Sequence, residues 1–266
     1  MSSAPRGADR WTVTTPWLIR PQARPGHRMR LLCLPHAGVG PSVYWPWARA
    51  LPGTIEVWAV HLPGREGRLR EAPLSSLSSV LDGVVPALRP YLDAPWAIYG
   101  HSMGALLAFE LARRLRREAG LKPVRLVVSG RRAPHRLDSR PHISHLSDAA
   151  FLAEMQRRYN GIPTEVLRHP DLMQLLLPAL RADLTALETH THIEDVPLDC
   201  PISAWGGLAD PDISLADIEG WALHTRAGFS ARLFPGDHFF VQTHRDAVLD
   251  ALLADLHDDV GEVAPR

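Results

Sequence analysis

Short, continuous apolar runs alternate with helical spacing along the first half of this chain. Residues 29–34, 55–60, 95–99 and 124–128 each read as a buried strand, too short for a helix and without polar alternation. A helix is expected over about 77–92, kinked near Pro86, and another over 103–118, whose segment 105–115 has no Pro or Gly. Strands alternating with helices predict a parallel sheet covered by helices on both faces. The alternation stops near residue 135. From 145 to 190 the spacing is helical throughout, in segments 147–158, 170–177 and 179–189. Leu172, Leu175, Leu176, Leu180, Leu184 and Leu187 form an apolar stripe there. Strand character returns at 202–205. A helix over about 215–225, a strand at 230–234 and a helix at 246–256 complete the pattern. Residues 1–10 and 259–266 read as loose tails. The expected organisation is a single α/β domain over 1–266, with a helical insertion at about 136–195.

Composition narrows the class. At 266 residues and 45% hydrophobic, the chain can fill a sizeable core, and its 29 basic and 29 acidic residues balance. That balance speaks against a nucleic-acid or membrane-surface partner. No apolar run approaches the roughly 18 residues of a membrane span, and the N-terminal residues lack the apolar core of a signal peptide. A cytoplasmic protein is expected, with a monomer as the default. Lys122 is the only lysine. Cys33 and Cys200 fall in expected strands and read as two reduced, buried thiols, with no metal-ligand spacing and no cofactor motif.

The chemistry is concentrated at Gly100-His101-Ser102-Met103-Gly104. This G-x-S-x-G lies between an expected strand and an expected helix, the context of the nucleophile elbow of an α/β-hydrolase. Glycines at 100 and 104 leave room where strand and helix nearly touch, and Ser102 is the candidate nucleophile. Such a serine needs a base and an orienting carboxylate, in the chain order Ser, Asp or Glu, His. His238 follows the last expected strand and is the candidate base; His244 is expected to start the final helix instead. Asp210 follows the 202–205 strand and is the candidate carboxylate, with Asp212 as runner-up and Asp138 too far into its loop. The oxyanion hole needs two N–H donors. Met103, directly after the nucleophile, and Ala37, in the glycine-rich loop 35–40, are the candidates. His36 and His101 sit beside the site in structural roles. Arg65, Arg131 and Arg132 are weighed as phosphate contacts against the plainer reading of solvated loop arginines.

Taken together, Leu34-Pro35-His36-Ala37-Gly38, Pro63-Gly64-Arg65, the elbow, Ser129-Gly130-Arg131-Arg132-Ala133-Pro134, Leu180-Arg181-Ala182-Asp183 and Gly236-Asp237-His238-Phe239-Phe240 resemble the type II thioesterases of polyketide and nonribosomal-peptide biosynthesis. The likeness runs from about residue 30 to 250. Gly38-Val39-Gly40 departs from the family's consecutive glycines. The resemblance implies an α/β-hydrolase fold with a helical lid at 136–195, and a stand-alone enzyme that acts on an acyl or peptidyl carrier protein. It would hydrolyse stalled or wrong acyl groups from the phosphopantetheine thiol, or release an acyl intermediate, with part of the Leu stripe lining an acyl channel. A general esterase or lipase, and a carrier-binding partner without hydrolytic activity, are the alternative readings.

Overall fold

A computed structural model describes residues 12–136, 138, 140–159 and 168–260. Its strands are β1 (Thr12–Thr15), β2 (Leu18–Arg20), β3 (Met29–Leu34), β4 (Ile55–Val60), β5 (Trp96–His101), β6 (Leu126–Ser129), β7 (Ile202–Gly207) and β8 (Phe229–Phe234). Its α-helices are α1 (Trp45–Ala50), α2 (Leu77–Leu88), α3 (Met103–Ala119), α4 (Asp148–Tyr159), α5 (Pro170–Glu188), α6 (Leu215–Glu219), α7 (Phe240–Thr243) and α8 (Arg245–Val260). The strands form one sheet in the order β1-β2-β4-β3-β5-β6-β7-β8. From β3 to β8 the pairing is parallel, while β1 and β2 add an antiparallel edge.

Alternation along β3 shows how the core is divided. Leu32 and Leu34 pack with Val84 of α2 and Leu107 and Leu111 of α3. Leu31 and Cys33 point the other way, toward Trp47 of α1 and Val248 and Leu252 of α8. The expected mostly parallel sheet with a helical layer on each face is therefore present. Both cysteines are free and buried, and burial pushes the thiol of Cys200 up to about 12.

Several elements differ from the sequence reading. β1 and β2 were not foreseen; they are short and lie at an edge, where apolar patterning is weak. Helices 170–177 and 179–189 are one helix, α5, running through Pro178. Proline removes one donor, but apolar packing on both sides of it holds the axis together: Leu177, Leu180 and Leu184 share a cluster with Phe151 and Met155 of α4. The 215–225 helix is α only to Glu219 and then tightens into a 3-10 turn, Gly220–His224. Of the expected tails, residues 1–10 and 261–266 lie outside the described residues, whereas 259 and 260 end α8.

The register gathers the loops that matter. Leu34 pairs with Gly100, His101 with Ser129, and Gly207 with Phe234. The segments that follow β3, β5, β6, β7 and β8 therefore emerge together at the carboxyl edge of the sheet, where open α/β sheets bind ligands.

Candidate active site

Ser102 stands at the apex between β5 and α3 with φ 55° and ψ −112°, a conformation rare for any residue but glycine. The surroundings enforce it. A Cβ at Gly100 would collide with the carbonyl of Gly104, and one at Gly104 with the carbonyl of Leu34. The turn also keeps its ladder bond, with the Ser102 N–H donating to the Ser129 carbonyl at 2.7 Å.

Two loops bring partners to this hydroxyl. After β8, the chain turns at Gly236 (φ 104°) and presents His238, whose Nε2 lies 3.1 Å from Ser102 Oγ. After β7, Asp210 places Oδ2 2.8 Å from His238 Nδ1. The Asp210 side chain is fully buried, and its Oδ1 accepts the N–H of Asp212 at 2.9 Å. The loops are tied together by the Ala209 N–H on the Gly236 carbonyl at 2.8 Å. A carboxylate, an imidazole and a hydroxyl thus form one hydrogen-bonded chain, an arrangement able to move the serine proton.

The other candidates fall into place around it. Met103 is the first residue of α3, where a backbone N–H has no acceptor in its own helix. Ala37 lines the same cavity as Ser102. Asp212 pairs with Arg140 at 2.5 Å, and Asp138 pairs with the same arginine at 2.7 Å. His244 caps α7, its N–H on the Phe240 carbonyl. His36 and His101 are buried beside His238. Burial, reinforced by His238, brings His36 down to about 3 and His101 well below its ordinary value, so both are neutral neighbours. His101 Nδ1 is spent on Ser129 Oγ at 3.0 Å.

Arg65 departs from the reading of a solvated loop arginine. It is not solvated: it is 2% exposed, and its guanidinium grips Asp183 of α5 through two bonds of 2.7 and 2.8 Å. The same carboxylate accepts the Gly38 N–H at 2.8 Å. Asp183 therefore ties α5 to the loop that carries Ala37. The sequence reading gave Asp183 no role, although an acidic residue inside an apolar helical stripe was a usable signal.

A cavity of about 480 Å³ opens from Ser102 and His238. Its wall is mainly apolar, with Met155, Met173, Leu176, Leu180, Leu184 and Leu187 from α4 and α5. Leu172 and Leu175 of the same stripe face outward, 38% and 52% exposed. Among the described residues no helix is long and apolar enough to cross a membrane.

Residues 29–256 match the thioesterase domain family. The gramicidin S biosynthesis protein GrsT of Aneurinibacillus migulanus is 37% identical over 90% of this chain and 93% of its own length. The thioesterase PikA5 of Streptomyces venezuelae is 39% identical over 85% of this chain and 80% of its own. Among solved structures, the type II thioesterase BorB from the borrelidin biosynthetic cluster superposes with a TM-score of 0.81 at 36% identity, covering 91% of this chain and 97% of that one.

Proposed function

The chain belongs to the thioesterase family, and on that premise we propose that it is a type II enzyme hydrolysing acyl thioesters held on the phosphopantetheine arm of acyl or peptidyl carrier proteins. Ser102 is the nucleophile, His238 the base and Asp210 the carboxylate that orients it. The N–H groups of Met103 and Ala37 receive the oxyanion. Helices α4 and α5, within 136–195, act as the lid. The proposed setting is the cytoplasm, with the enzyme acting as a monomer in trans on a separate carrier.

The steps follow from the order of the groups. His238 Nε2 takes the Ser102 proton as Oγ attacks the thioester carbonyl, and the negative charge passes to the carbonyl oxygen. The C–S bond breaks, His238 returns the proton to the sulfur, and an acyl ester remains on Ser102. A water, deprotonated by His238, attacks that ester; the free acid leaves and the proton returns to Ser102. Asp210 stays ionised and keeps the ring in its working tautomer. Thiolate leaves readily, so selectivity falls to the acyl cavity and the carrier. An apolar pocket separates neighbouring chain lengths by only about 1–3 kcal/mol per methylene, which suits the removal of varied stalled chains.

The observation that carries the reading is the Asp210–His238–Ser102 chain at the mouth of a largely apolar cavity. Its test is an acyl panel, each acyl group supplied on holo-carrier protein, on coenzyme A and as a simple ester. Intact-protein mass spectrometry follows acyl loss and any acyl-Ser102 adduct. Faster turnover on the carrier, abolished by Ser102→Ala in a folded protein, is the expected result. Turnover confined to simple esters would make it a general esterase.

A further inference from the structure

A second cavity, of about 450 Å³, lies beside the first. Tyr159, Leu184 and Leu187 line both and form a shared wall. Beyond that wall the chemistry changes, because the segment after β6 and residues 188–194 contribute arginines and histidines. Most of these cations are engaged. Arg132 donates to the Asp212 carbonyl and lies 3.5 Å from Asp138. Arg140 holds Asp138 and Asp212, Arg158 reaches Glu154, and Arg136 lies 3.6 Å from Asp217. Of the carboxylates that line the cavity, Asp138 is taken by these arginines, Glu188 accepts the N–H groups of Ile143 and Ser144, and Glu194 is exposed.

Arg131 is different. No described residue gives its guanidinium a hydrogen bond or an ion pair, although it is partly buried and burial lowers its pKa. Two imidazole nitrogens of the same cavity, His190 Nε2 and His192 Nδ1, are buried without a hydrogen-bond partner among the described residues. The nearest carboxylate oxygen recorded for His190, on Glu110, is 3.6 Å away, beyond hydrogen-bond length. Asp138, already held by Arg132 and Arg140, also attracts this guanidinium, but among the described residues Arg131 makes no hydrogen bond or ion pair of its own. Such a guanidinium beside unused imidazoles matches an oxyanion, and arginine's planar fork suits phosphate in particular.

Position says which phosphate. The Tyr159 ring lies 5.3 Å from the His238 ring, so the wall shared by the two cavities stands next to the base. The group that protonates a leaving sulfur must face it, which puts the pantetheine arm on the His238 side of Ser102. The acyl chain then takes the apolar cavity. The far end of the arm is a phosphate ester. We infer that the second cavity receives the phosphate of the pantetheine arm, with Arg131 as its ligand and His190 and His192 as hydrogen-bonding neighbours. This rests on the thioesterase reading above and adds to it a second binding site.

The test uses one acyl group carried on 4′-phosphopantetheine and on pantetheine, which lacks only the phosphate. Wild-type enzyme should favour the phosphorylated thioester about ten-fold in kcat/KM, mainly through KM, as expected for one charge-assisted contact. Arg131→Met should bring that ratio close to one. Arg131→Lys keeps the charge but loses the fork, and should retain part of the preference. Thermal melts report whether each variant folds; if Arg131→Met does not, the wild-type and Arg131→Lys ratios decide. A wild-type ratio of one, or a ratio that survives Arg131→Met, overturns the inference and leaves the thioesterase reading standing. If neither thioester is hydrolysed, the reading of function fails instead. Calorimetric binding of phosphopantetheine against pantetheine then judges the site alone, and equal affinities overturn it.

Discussion

At Ser102, the proposed nucleophile and a strained backbone coincide. Its φ of 55° with ψ −112° costs of the order of 1–3 kcal/mol for a side chain with a Cβ. Ser102→Gly should therefore be more stable than Ser102→Ala by about 1 kcal/mol in urea unfolding, after allowing for glycine's own entropy. Gly100→Ala should lose about 1–3 kcal/mol or more, because the new methyl meets backbone that cannot swing away. His36 gives a pH dependence of definite sign. Its pKa falls from 6.5 to about 3 on folding, so between those values the unfolded chain binds more protons than the native one. Stability contributed by neutral His36 is complete above about pH 6.5 and is lost as pH falls toward 3. Replacing it in His36→Leu should flatten this part of the stability–pH curve, measured by denaturant unfolding at several pH values. At this scale the sequence was informative. Ser102, Asp210 and His238 were picked out from their positions after expected strands, and the structure brings all three within hydrogen-bond reach. The partners of Arg65 were not legible, because Asp183 lies 118 residues away and local pattern carries no information over that span.

Among the elements, α5 shows most clearly what pattern reveals and what it hides. Its apolar stripe was plain in the sequence, but the stripe divides in space. Leu176, Leu180, Leu184 and Leu187 line the cavity, whereas Leu172 and Leu175 near its N-terminal end face outward. Periodicity fixes the angular position of each residue on the helix; it cannot say where along the axis a partner surface ends. Leu176→Trp should fill part of the cavity and reduce kcat/KM for the longest acyl chains, with short chains little affected, as read from an acyl-length panel. Leu175→Lys should change stability by no more than about 0.5 kcal/mol. Pro178 misled in the opposite direction. A proline reads as a boundary, yet packing against α4 holds one helix through it.

For the molecule as a whole, the decisive contact joins distant parts: Asp183 of α5 grips Arg65 after β4 and the Gly38 N–H after β3. Both side chains of the pair are buried, so removing one partner leaves a charge stranded away from water. Asp183→Ala should cost about 3–5 kcal/mol in denaturant unfolding. It should also lower kcat more than it raises KM, because the freed loop carries the Ala37 N–H. The double variant Arg65→Met/Asp183→Leu should be more stable than Asp183→Ala, since no lone charge remains. The sequence by itself determined the strand–helix alternation, the parallel sheet, the strand–turn–helix around Ser102 and the chain order of the candidate chemical groups. These depend on local spacing, on which residues a tight turn admits and on apolar runs that can only be buried. Tertiary structure alone decided which loops meet, which arginines find a carboxylate, where the Leu stripe becomes a cavity wall, and how α5 holds the loop beside Ser102. Those outcomes depend on sheet register and on burial across more than a hundred residues of separation, where charge and packing are settled by whatever the fold brings alongside.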